Sequence, residues 1–184
     1  MDRKYKVNEI FYSLQGEGYY TGTPAVFLRL SGCNRSCHFC DTSHETFTEM
    51  TADEIAAAVA AYPARHLVIT GGEPTLQLDS DLLRTIKAHR FYIQIETNGT
   101  RPVPVEVDWV TCSPKDAPWD IDRIDELKVV FENQDVEELA ALLPARHHFL
   151  QPMSGLNVPE TIAYCLAHPR WRLSLQTHKL IDIQ

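Results

Sequence analysis

Three cysteines fall within eight residues of the segment GCNRSCHFCD, at Cys33, Cys37 and Cys40. The whole chain of 184 residues contains five cysteines, so this one loop holds most of its thiols. Thiolates bind soft metals, and clustered thiols are typical of zinc sites, redox pairs and iron-sulfur clusters. The spacing therefore predicts a metal or redox site in this loop.

The number of thiols separates these alternatives. A structural zinc site needs four ligands, so a fourth would have to be found outside the three. A redox dithiol needs only two and leaves Cys33 unexplained. A 4Fe-4S cluster held by three thiolates keeps one iron open for a substrate or cofactor, which suits an enzyme. The candidates for a fourth zinc ligand are His38, Cys112 and Cys165, of which the two isolated cysteines are predicted to be buried free thiols.

Composition predicts one globular domain over residues 1–184. The chain is 44% hydrophobic and 23% charged and has no linker-like tract. It shows neither a secretory signal nor a run of about 18 apolar residues, so we expect a cytoplasmic protein without membrane segments. In that compartment clustered cysteines favour metal binding or catalysis over disulfides. The formal charge of -8 argues against a nucleic-acid partner.

Short β-rich runs alternate with helical patterns along the chain. Helices are predicted from the capping box at 51–54, from Asp79 or Ser80, around Val136, and from a first turn that contains Pro159. This alternation favours a mostly parallel α/β sheet, because a parallel pair needs a crossover that usually contains a helix. The predicted strands are 25–31, 66–70, 91–96, 109–112, 127–131, 147–151 and 171–176.

The unusual residues all follow predicted strands. The motifs GCNRSCHFCDT, GGEP, TNGT, SPK and QPMS come after the first, second, third, fourth and sixth strand respectively. Parallel strands bring their carboxyl ends to one edge of a sheet, where α/β folds bind ligands. Turn formation explains the glycines and prolines of these loops but not their Cys, Glu and Lys. We therefore expect the five loops to form a single site.

These motifs resemble the signature of the radical S-adenosylmethionine (SAM) enzymes. The cysteine spacing has the aromatic Phe39 before its last thiol, and the segment 71–74 is similar to the GGE motif of that superfamily. The resemblance implies an incomplete (β/α) barrel with a mostly parallel sheet and reduced helices. It also implies that SAM binds the open iron of a 4Fe-4S cluster and is cleaved to a radical that abstracts hydrogen from the substrate.

Within that superfamily, the whole chain is similar to the 7-carboxy-7-deazaguanine synthase family. The family's reaction is the ring contraction of 6-carboxy-5,6,7,8-tetrahydropterin to 7-carboxy-7-deazaguanine with loss of ammonia, a Mg2+-dependent lyase step of queuosine biosynthesis and tRNA modification. The resemblance implies a pterin substrate, an electron donor such as flavodoxin or ferredoxin, and a homodimer. The alternative is an activase that generates a glycyl radical in a partner protein. The matching segments are 13–18, 41–42, 70–74, 96–99, 113–115, 151–153 and 175–179.

The resemblance assigns most of the site. The cluster is expected on Cys33, Cys37 and Cys40, and Mg2+ on Thr42, although the residues alone would favour Asp41 as the metal ligand. No residue is assigned as a general acid or base. The expected SAM-binding residues are Phe39, Cys40, Asp41, Gly72, Glu73, Ser113, Pro114, Lys115, Gln151, Pro152, Met153 and Ser154. The expected substrate-binding residues are Leu14, Gln15, Gly16, Arg29, Thr70, His178 and Gln184.

Several of these residues carry a physical argument of their own. Arg29 is a charge in an otherwise apolar strand, and its guanidinium could bind the substrate carboxylate through two hydrogen bonds. Glu73 could accept a hydrogen bond from the SAM amino group. Glu96 and Asn98 lie at the same edge without an assigned role, and the pair at 147–148 is interpreted as structural.

Overall fold

A computed structural model describes residues 2–38, 40, 42–43 and 46–184. In this part of the chain nine strands form one sheet in the order β3-β1-β2-β4-β5-β6-β7-β8-β9. The strands are β1 (Lys4–Leu14), β2 (Pro24–Leu30), β3 (Thr48–Thr51), β4 (His66–Gly71), β5 (Tyr92–Thr97), β6 (Trp109–Cys112), β7 (Glu126–Phe131), β8 (His147–Pro152) and β9 (Trp171–Leu173). The helices are α1 (Ala52–Ala60), α2 (Ser80–Lys87), α3 (Val136–Leu142), α4 (Val158–Ala167) and α5 (Thr177–Leu180), with single 3-10 turns at Pro74–Leu76 and Met153–Gly155.

The sheet is mostly parallel, as predicted. The strands from β2 through β4 to β9 pair in parallel with their neighbours, whereas β1 runs antiparallel to both β2 and β3. All seven predicted strands are present, although β9 ends at Leu173 rather than at 176. The connection from β5 to β6 contains no helix in the described structure, in agreement with its short length.

Two strands and one helix were not predicted. The unpredicted β1 is the longest strand, but its sequence KYKVNEIFYSL mixes charged and apolar residues, and only Tyr5 and Val7 are buried. Leu14, an expected substrate-binding residue, is the last residue of this strand. The unpredicted helix is α5, which spans a single turn.

The predicted helix starts are present. Thr51 caps α1 with a full capping box, in which Thr51 Oγ1 accepts from Glu54 N at 3.3 Å and Glu54 Oε2 accepts from Thr51 N at 2.7 Å. Asp79 caps α2 by accepting from Leu82 N at 3.0 Å. None of the described helices has the length and apolarity needed to cross a bilayer.

Alternation along the strands separates the core from the site. Ile93 and Ile95 of β5 join one apolar cluster with α1 and α2, and Leu127 of β7 joins a second with α3. The intervening positions Glu96 and Lys128 line a cavity on the other face. The same pleat that buries apolar side chains under the helices therefore directs charged ones into the interior.

The sheet curls into an incomplete barrel. Thr177, beyond β9, donates to Gly16 O from both N and Oγ1, at 2.9 and 3.0 Å. Gly18 N donates to Ser174 Oγ at 2.9 Å. The segments after β1 and β9 thus meet although six strands lie between the two in the sheet. Side-chain and backbone bonds close this seam where strand pairing is absent in the described structure.

Candidate functional site

A cavity of about 450 Å³ lies at the carboxyl edge of the parallel strands. Its volume is in the range of small-molecule sites. The five motif loops converge on it, as the strand order required. The expected site residues that line it are Leu14, Gln15, Gly16, Arg29, Cys33, Cys37, Cys40, Thr42, Thr70, Gly72, Ser113, Lys115, Gln151, Pro152, Met153, Ser154, His178 and Gln184.

Four expected SAM-binding residues are not in this lining. Phe39 and Asp41 lie outside the described residues. Pro114 lies between Ser113 and Lys115, but it is not among the residues that line the cavity. The fourth is Glu73.

The Glu73 carboxylate ties two loops together. It is 1% exposed. Its Oε1 accepts from Thr75 N at 3.0 Å and Thr97 Oγ1 at 2.7 Å, and its Oε2 accepts from Asn98 N at 2.7 Å. These bonds fix the loop that carries Gly72 against the TNGT loop. The structure thus shows Glu73 positioning these two loops, and its contact with the SAM amino group stays a prediction.

The cysteine loop fits an anionic cluster. Cys33 and Cys37 are half-buried and Cys40 is exposed, and all three line the cavity. Beside them, Arg35 Nε is buried and has no hydrogen-bond partner in the described structure. A side chain on Gly72 would collide with Gly32 O and Cys33 Cβ, so a glycine is needed where the GGE loop meets the cysteine loop.

The thiols do not converge on a single point. Among the described residues, no three side chains of His, Cys, Asp or Glu are close enough to hold one metal ion. A 4Fe-4S cube gives each thiolate its own iron and so suits thiols that are spread around a loop. Burial raises the pKa of the Cys37 thiol, while the nearby Lys115 ammonium lowers it. Lys115 is therefore placed to favour the thiolate form.

The other two cysteines lie outside the cluster loop. Cys112 is fully buried, as predicted, whereas Cys165 is only half-buried against the core beside α3 and β7. The histidine pair serves packing, as interpreted: His147 stacks on Trp109 and His148 packs edge-on against Trp171.

The cavity floor carries a buried charge network. Lys128 is 4% exposed. Its Nζ donates to Glu17 Oε2 at 2.6 Å and to Glu96 Oε2 at 2.9 Å. Glu17 Oε1 also accepts from Gln151 Nε2 at 3.2 Å and Gln176 Nε2 at 3.0 Å. One lysine and a set of amide donors therefore compensate two carboxylates at the floor.

The network shifts the pKa of each member. Burial raises the pKa of Glu96 to about 7, with Lys128 opposing the shift and Glu126 and Glu17 adding repulsion. Burial would also raise the pKa of Glu17, but the charge of Lys128 and hydrogen bonds from Lys128 and Gln176 outweigh it, so this pKa lies below its usual range. Burial opposes the charge on Lys128, yet the carboxylates dominate and raise its pKa. Near neutral pH, Lys128 and Glu17 are charged and Glu96 is the member that titrates.

Sequence reasoning missed Lys128, Glu17 and Gln176 as site residues. A signal for Lys128 was present, because a lysine within the apolar strand LKVVF needs a buried partner. Glu17 and Gln176 lay inside matched segments without being singled out. Glu96 and Asn98 had no assigned role, and both line the cavity.

Arg29 reaches the cavity wall as half of an ion pair. Its Nε donates to Glu9 Oε1 at 2.7 Å, and Glu9 is its cross-strand partner on β1. Glu9 Oε2 accepts from Gln184 Nε2 at 2.9 Å. On the other side of the seam, the His178 imidazole packs so closely over Gly16 that a side chain on Gly16 would collide with it. Both ends of the chain thus contribute to one wall.

Comparisons with known proteins agree with this geometry. Residues 28–131 match the family model described as the Radical SAM superfamily. The chain is 59% identical over 180 residues to the 7-carboxy-7-deazaguanine synthase of Bacteroides thetaiotaomicron, covering 97% of this chain and 98% of that protein. It is 45% identical over 207 residues to the 7-carboxy-7-deazaguanine synthase of Bordetella pertussis, covering 97% and 99%.

The fold has a close structural counterpart. The crystal structure of QueE from Escherichia coli superimposes with a TM-score of 0.80 at 33% identity, covering 94% of this chain and 93% of that one. Together these matches confirm the predicted fold and favour the synthase over the activase. The chain belongs to the radical SAM superfamily and, within it, to the 7-carboxy-7-deazaguanine synthase family.

Proposed function

We propose that this chain catalyses the ring contraction of 6-carboxy-5,6,7,8-tetrahydropterin to 7-carboxy-7-deazaguanine with release of ammonia. The observation that carries the proposal is one cavity that unites the three-cysteine loop with Arg29 and two partly buried carboxylates, Glu17 and Glu96. Thiols of this spacing hold the cluster, and the other groups complement a pterin that bears a carboxylate. When bound, the cluster and SAM supply the radical that removes a hydrogen atom from the substrate.

Cys33, Cys37 and Cys40 would hold the 4Fe-4S cluster. The loops that surround the thiols would bind SAM, with the small Gly72 permitting close approach to the backbone and Lys115 adding a positive charge. The remaining SAM-binding residues would be Phe39, Cys40, Asp41, Glu73, Ser113, Pro114, Gln151, Pro152, Met153 and Ser154.

Side chains of opposite charge would bind the two ends of the substrate. Arg29 would bind its carboxylate, because a planar guanidinium matches a carboxylate through two hydrogen bonds. Glu17 and Glu96 would accept hydrogen bonds from the pterin N-H groups. Each carboxylate has about four acceptor positions, and Glu96 Oε2 has one described donor, Lys128 Nζ. Leu14, Gln15, Gly16, Thr70, His178 and Gln184 would complete the walls.

Mg2+ would bind at Thr42 together with substrate oxygens and water. Thr42 borders the main cavity and also a smaller polar pocket that includes Asn8, Glu9 and Arg29. Mg2+ prefers hard oxygen ligands and keeps several waters, so a hydroxyl beside a polar pocket suits it.

Two partners complete the proposal. An electron donor such as flavodoxin or ferredoxin would reduce the cluster, and a second copy of the chain would form a homodimer. Exposed apolar side chains near α4, including Leu156 and Leu166, give the homodimer a surface to bury. A reducing cytoplasm would keep the cluster thiols available.

The test is an anaerobic assay of the reconstituted enzyme with reductant, SAM, Mg2+ and the carboxytetrahydropterin. We expect 7-carboxy-7-deazaguanine and ammonia in equal amounts, and no turnover from a Cys37→Ala variant. Iron and acid-labile sulfide should accompany the active protein. Release of 5′-deoxyadenosine without any deazapurine, whatever the substrate concentration, would refute the proposed reaction.

A further inference from the structure

A hydrogen-bonded chain crosses the barrel interior beneath the cavity. At the amino edge of the parallel strands, His66 Nε2 lies 2.9 Å from Gln94 Oε1. Gln94 Nε2 then donates to Glu96 Oε1 at 3.0 Å and to Thr111 Oγ1 at 3.3 Å. Gln94 is 1% exposed and is not among the residues that line the cavity. Gln94 therefore contacts the cavity residue Glu96 without lining the cavity itself, so it can act on a bound substrate only through Glu96.

The chemistry of the chain fixes its polarity. An ionised carboxylate only accepts hydrogen bonds, so the amide group of Gln94 that faces Glu96 must be its NH2. The Gln94 carbonyl oxygen consequently faces His66, whose Nε2 must then carry the proton. In a buried site an unpaired donor or acceptor is costly, so each link constrains the next. The histidine orients the amide, and the amide orients the carboxylate.

We propose that Gln94, oriented by His66, is a positioning residue that keeps the Glu96 carboxylate ionised and directed toward the substrate. The inference rests on the proposed function, in which Glu96 accepts hydrogen bonds from the pterin. Gln94 on β5 and His66 on β4 thus hold the Glu96 carboxylate in position, as Lys128 does from β7.

The charged groups around Glu96 determine which way its titration moves. Lys128 and Glu126 face it from β7, and Glu17 faces it from the loop after β1. Gln15 Nε2 adds a long contact of 3.4 Å to Glu96 Oε1. Further cationic or titratable groups line the cavity around it, namely Arg29, Arg35, Lys115, His178 and Lys179.

The pKa values of both titratable groups agree with this arrangement. Burial raises the pKa of Glu96 to about 7, which places its loss of charge within the working range of an enzyme. A donated hydrogen bond favours the ionised form, so removing Gln94 must raise this pKa further. Burial lowers the pKa of His66, partly opposed by its bond to Gln94, so the ring is neutral where Glu96 is ionised.

The first experiment replaces Gln94 by methionine, which keeps the side-chain length and removes its hydrogen bonds to His66, Glu96 and Thr111. The reconstituted holoenzyme is assayed for kcat/KM against pH. Activity needs ionised Glu96 and is lost as pH falls through its pKa, so the acidic limb should move to higher pH. A shift of about 0.5 to 1 pH unit corresponds to one hydrogen bond. The rate on the alkaline side should change little.

Two further variants address His66. His66→Phe should move the acidic limb of the kcat/KM profile to higher pH by a smaller amount than Gln94→Met does. In His66→Gln, whose amide can still donate to Gln94, the limb should return to its wild-type position. The matched control is Tyr92→Phe. Tyr92 packs against His66 and bonds Tyr20 at 2.9 Å, so this variant alters the same layer and should leave the limb in place.

A direct titration separates this inference from the proposed function. The carboxyl band of Glu96 is followed by infrared difference spectroscopy of holoenzyme without substrate, with Glu96→Gln as the spectral reference. An unmoved titration in both Gln94→Met and His66→Phe would overturn the positioning role, as would a loss of rate that is equal at every pH. If the titration moves while the kcat/KM limb stays, the positioning stands and the substrate contact of Glu96 is refuted.

Discussion

At the scale of single residues, the site encloses charged side chains together with the oppositely charged side chains that compensate them. Lys128 contacts Glu17 and Glu96 directly, and Glu126 adds a third acidic group to its surroundings. Such a network is expensive to desolvate and is stable only while every member keeps its partners. The arrangement gives the cavity two carboxylates with different titration behaviour, because Glu17 holds its charge and Glu96 titrates near neutrality.

Lys128→Met tests this compensation. Removing the lysine leaves the buried carboxylates unpaired, so the free energy of unfolding at pH 8 should fall by about 3 to 5 kcal/mol. Without the cation, the folded-state pKa of Glu17 should rise above its unfolded value, and that of Glu96, which burial already raises, should rise further. The folded variant then binds protons more tightly than the unfolded chain, and its deficit should shrink as pH falls from 8 to 5. Urea unfolding at both pH values measures this.

Lys87→Met is the matched control for that experiment. Lys87 pairs with Asp108 at 2.5 Å, but about a third of its side chain is exposed. Its loss should cost about 1 kcal/mol or less. Equal losses at the two lysines, or a deficit at Lys128 that does not depend on pH, would contradict the burial argument.

Arg29→Ala tests the carboxylate contact. We expect substrate affinity to weaken by about 1.5 to 3 kcal/mol, the usual contribution of a hydrogen bond to a charged group. Arg29→Lys should be intermediate, since it keeps the charge and loses the planar fork. Equilibrium binding under anaerobic conditions gives both values. Arg84→Ala, whose partner Glu106 lies outside the cavity lining, should bind normally, and full affinity in Arg29→Ala would exclude the contact.

At the scale of elements, local sequence signals predicted the strands and helices whose residues have a single, structural function. The apolar runs of β4 and β7 and the capping box of α1 each follow from local chemistry. β1 was missed because most of it is half-exposed and its sequence mixes charged and apolar residues without a regular alternation. The carboxyl-edge loops could be placed together from strand order alone. The contacts of Lys128 and the inward role of Glu73 required the tertiary structure.

Thr51 caps α1 and Asp79 caps α2, but Asp79 also accepts a hydrogen bond from a side chain outside its helix. The two caps therefore give a paired prediction. Thr51→Ala removes an exposed cap from α1 and should lower the free energy of unfolding by about 1 kcal/mol. Asp79→Ala should lower it by about 2 to 3 kcal/mol, because Asp79 also accepts from the hydroxyl of buried Tyr5 at 2.8 Å. Asp79→Asn, which retains an acceptor, should recover part of the loss. Denaturant unfolding of the three variants measures these values, and equal costs for the two alanine variants would show that Tyr5 contributes nothing.

At the scale of the whole molecule, the two ends of the sequence close the barrel. Ser13 Oγ donates to Gln184 O at 2.5 Å, and Thr177 bonds Gly16 O twice. The contacting residues are more than 150 positions apart, so this seam is a contact of high sequence separation. Because Gly16, His178 and Gln184 also line the cavity, the bonds that close the barrel complete the wall of the site.

The closest packing in the seam is that of His178 on Gly16, and a double-mutant cycle can measure it. The backbone of Gly16 is not left-handed, so Gly16→Ala is opposed only by the clash of its Cβ with the His178 ring. The free energy of unfolding should fall by about 1 to 3 kcal/mol. In a His178→Ala background the same substitution should cost almost nothing, since the obstructing ring is gone.

Gly22→Ala provides the control. Gly22 has a φ of +86° and open space around it, so this substitution should cost about 1 kcal/mol with or without His178. If Gly16→Ala costs the same in both backgrounds, His178 does not stabilise the seam, which must then be held by the hydrogen bonds of Thr177, Ser13 and Gly18.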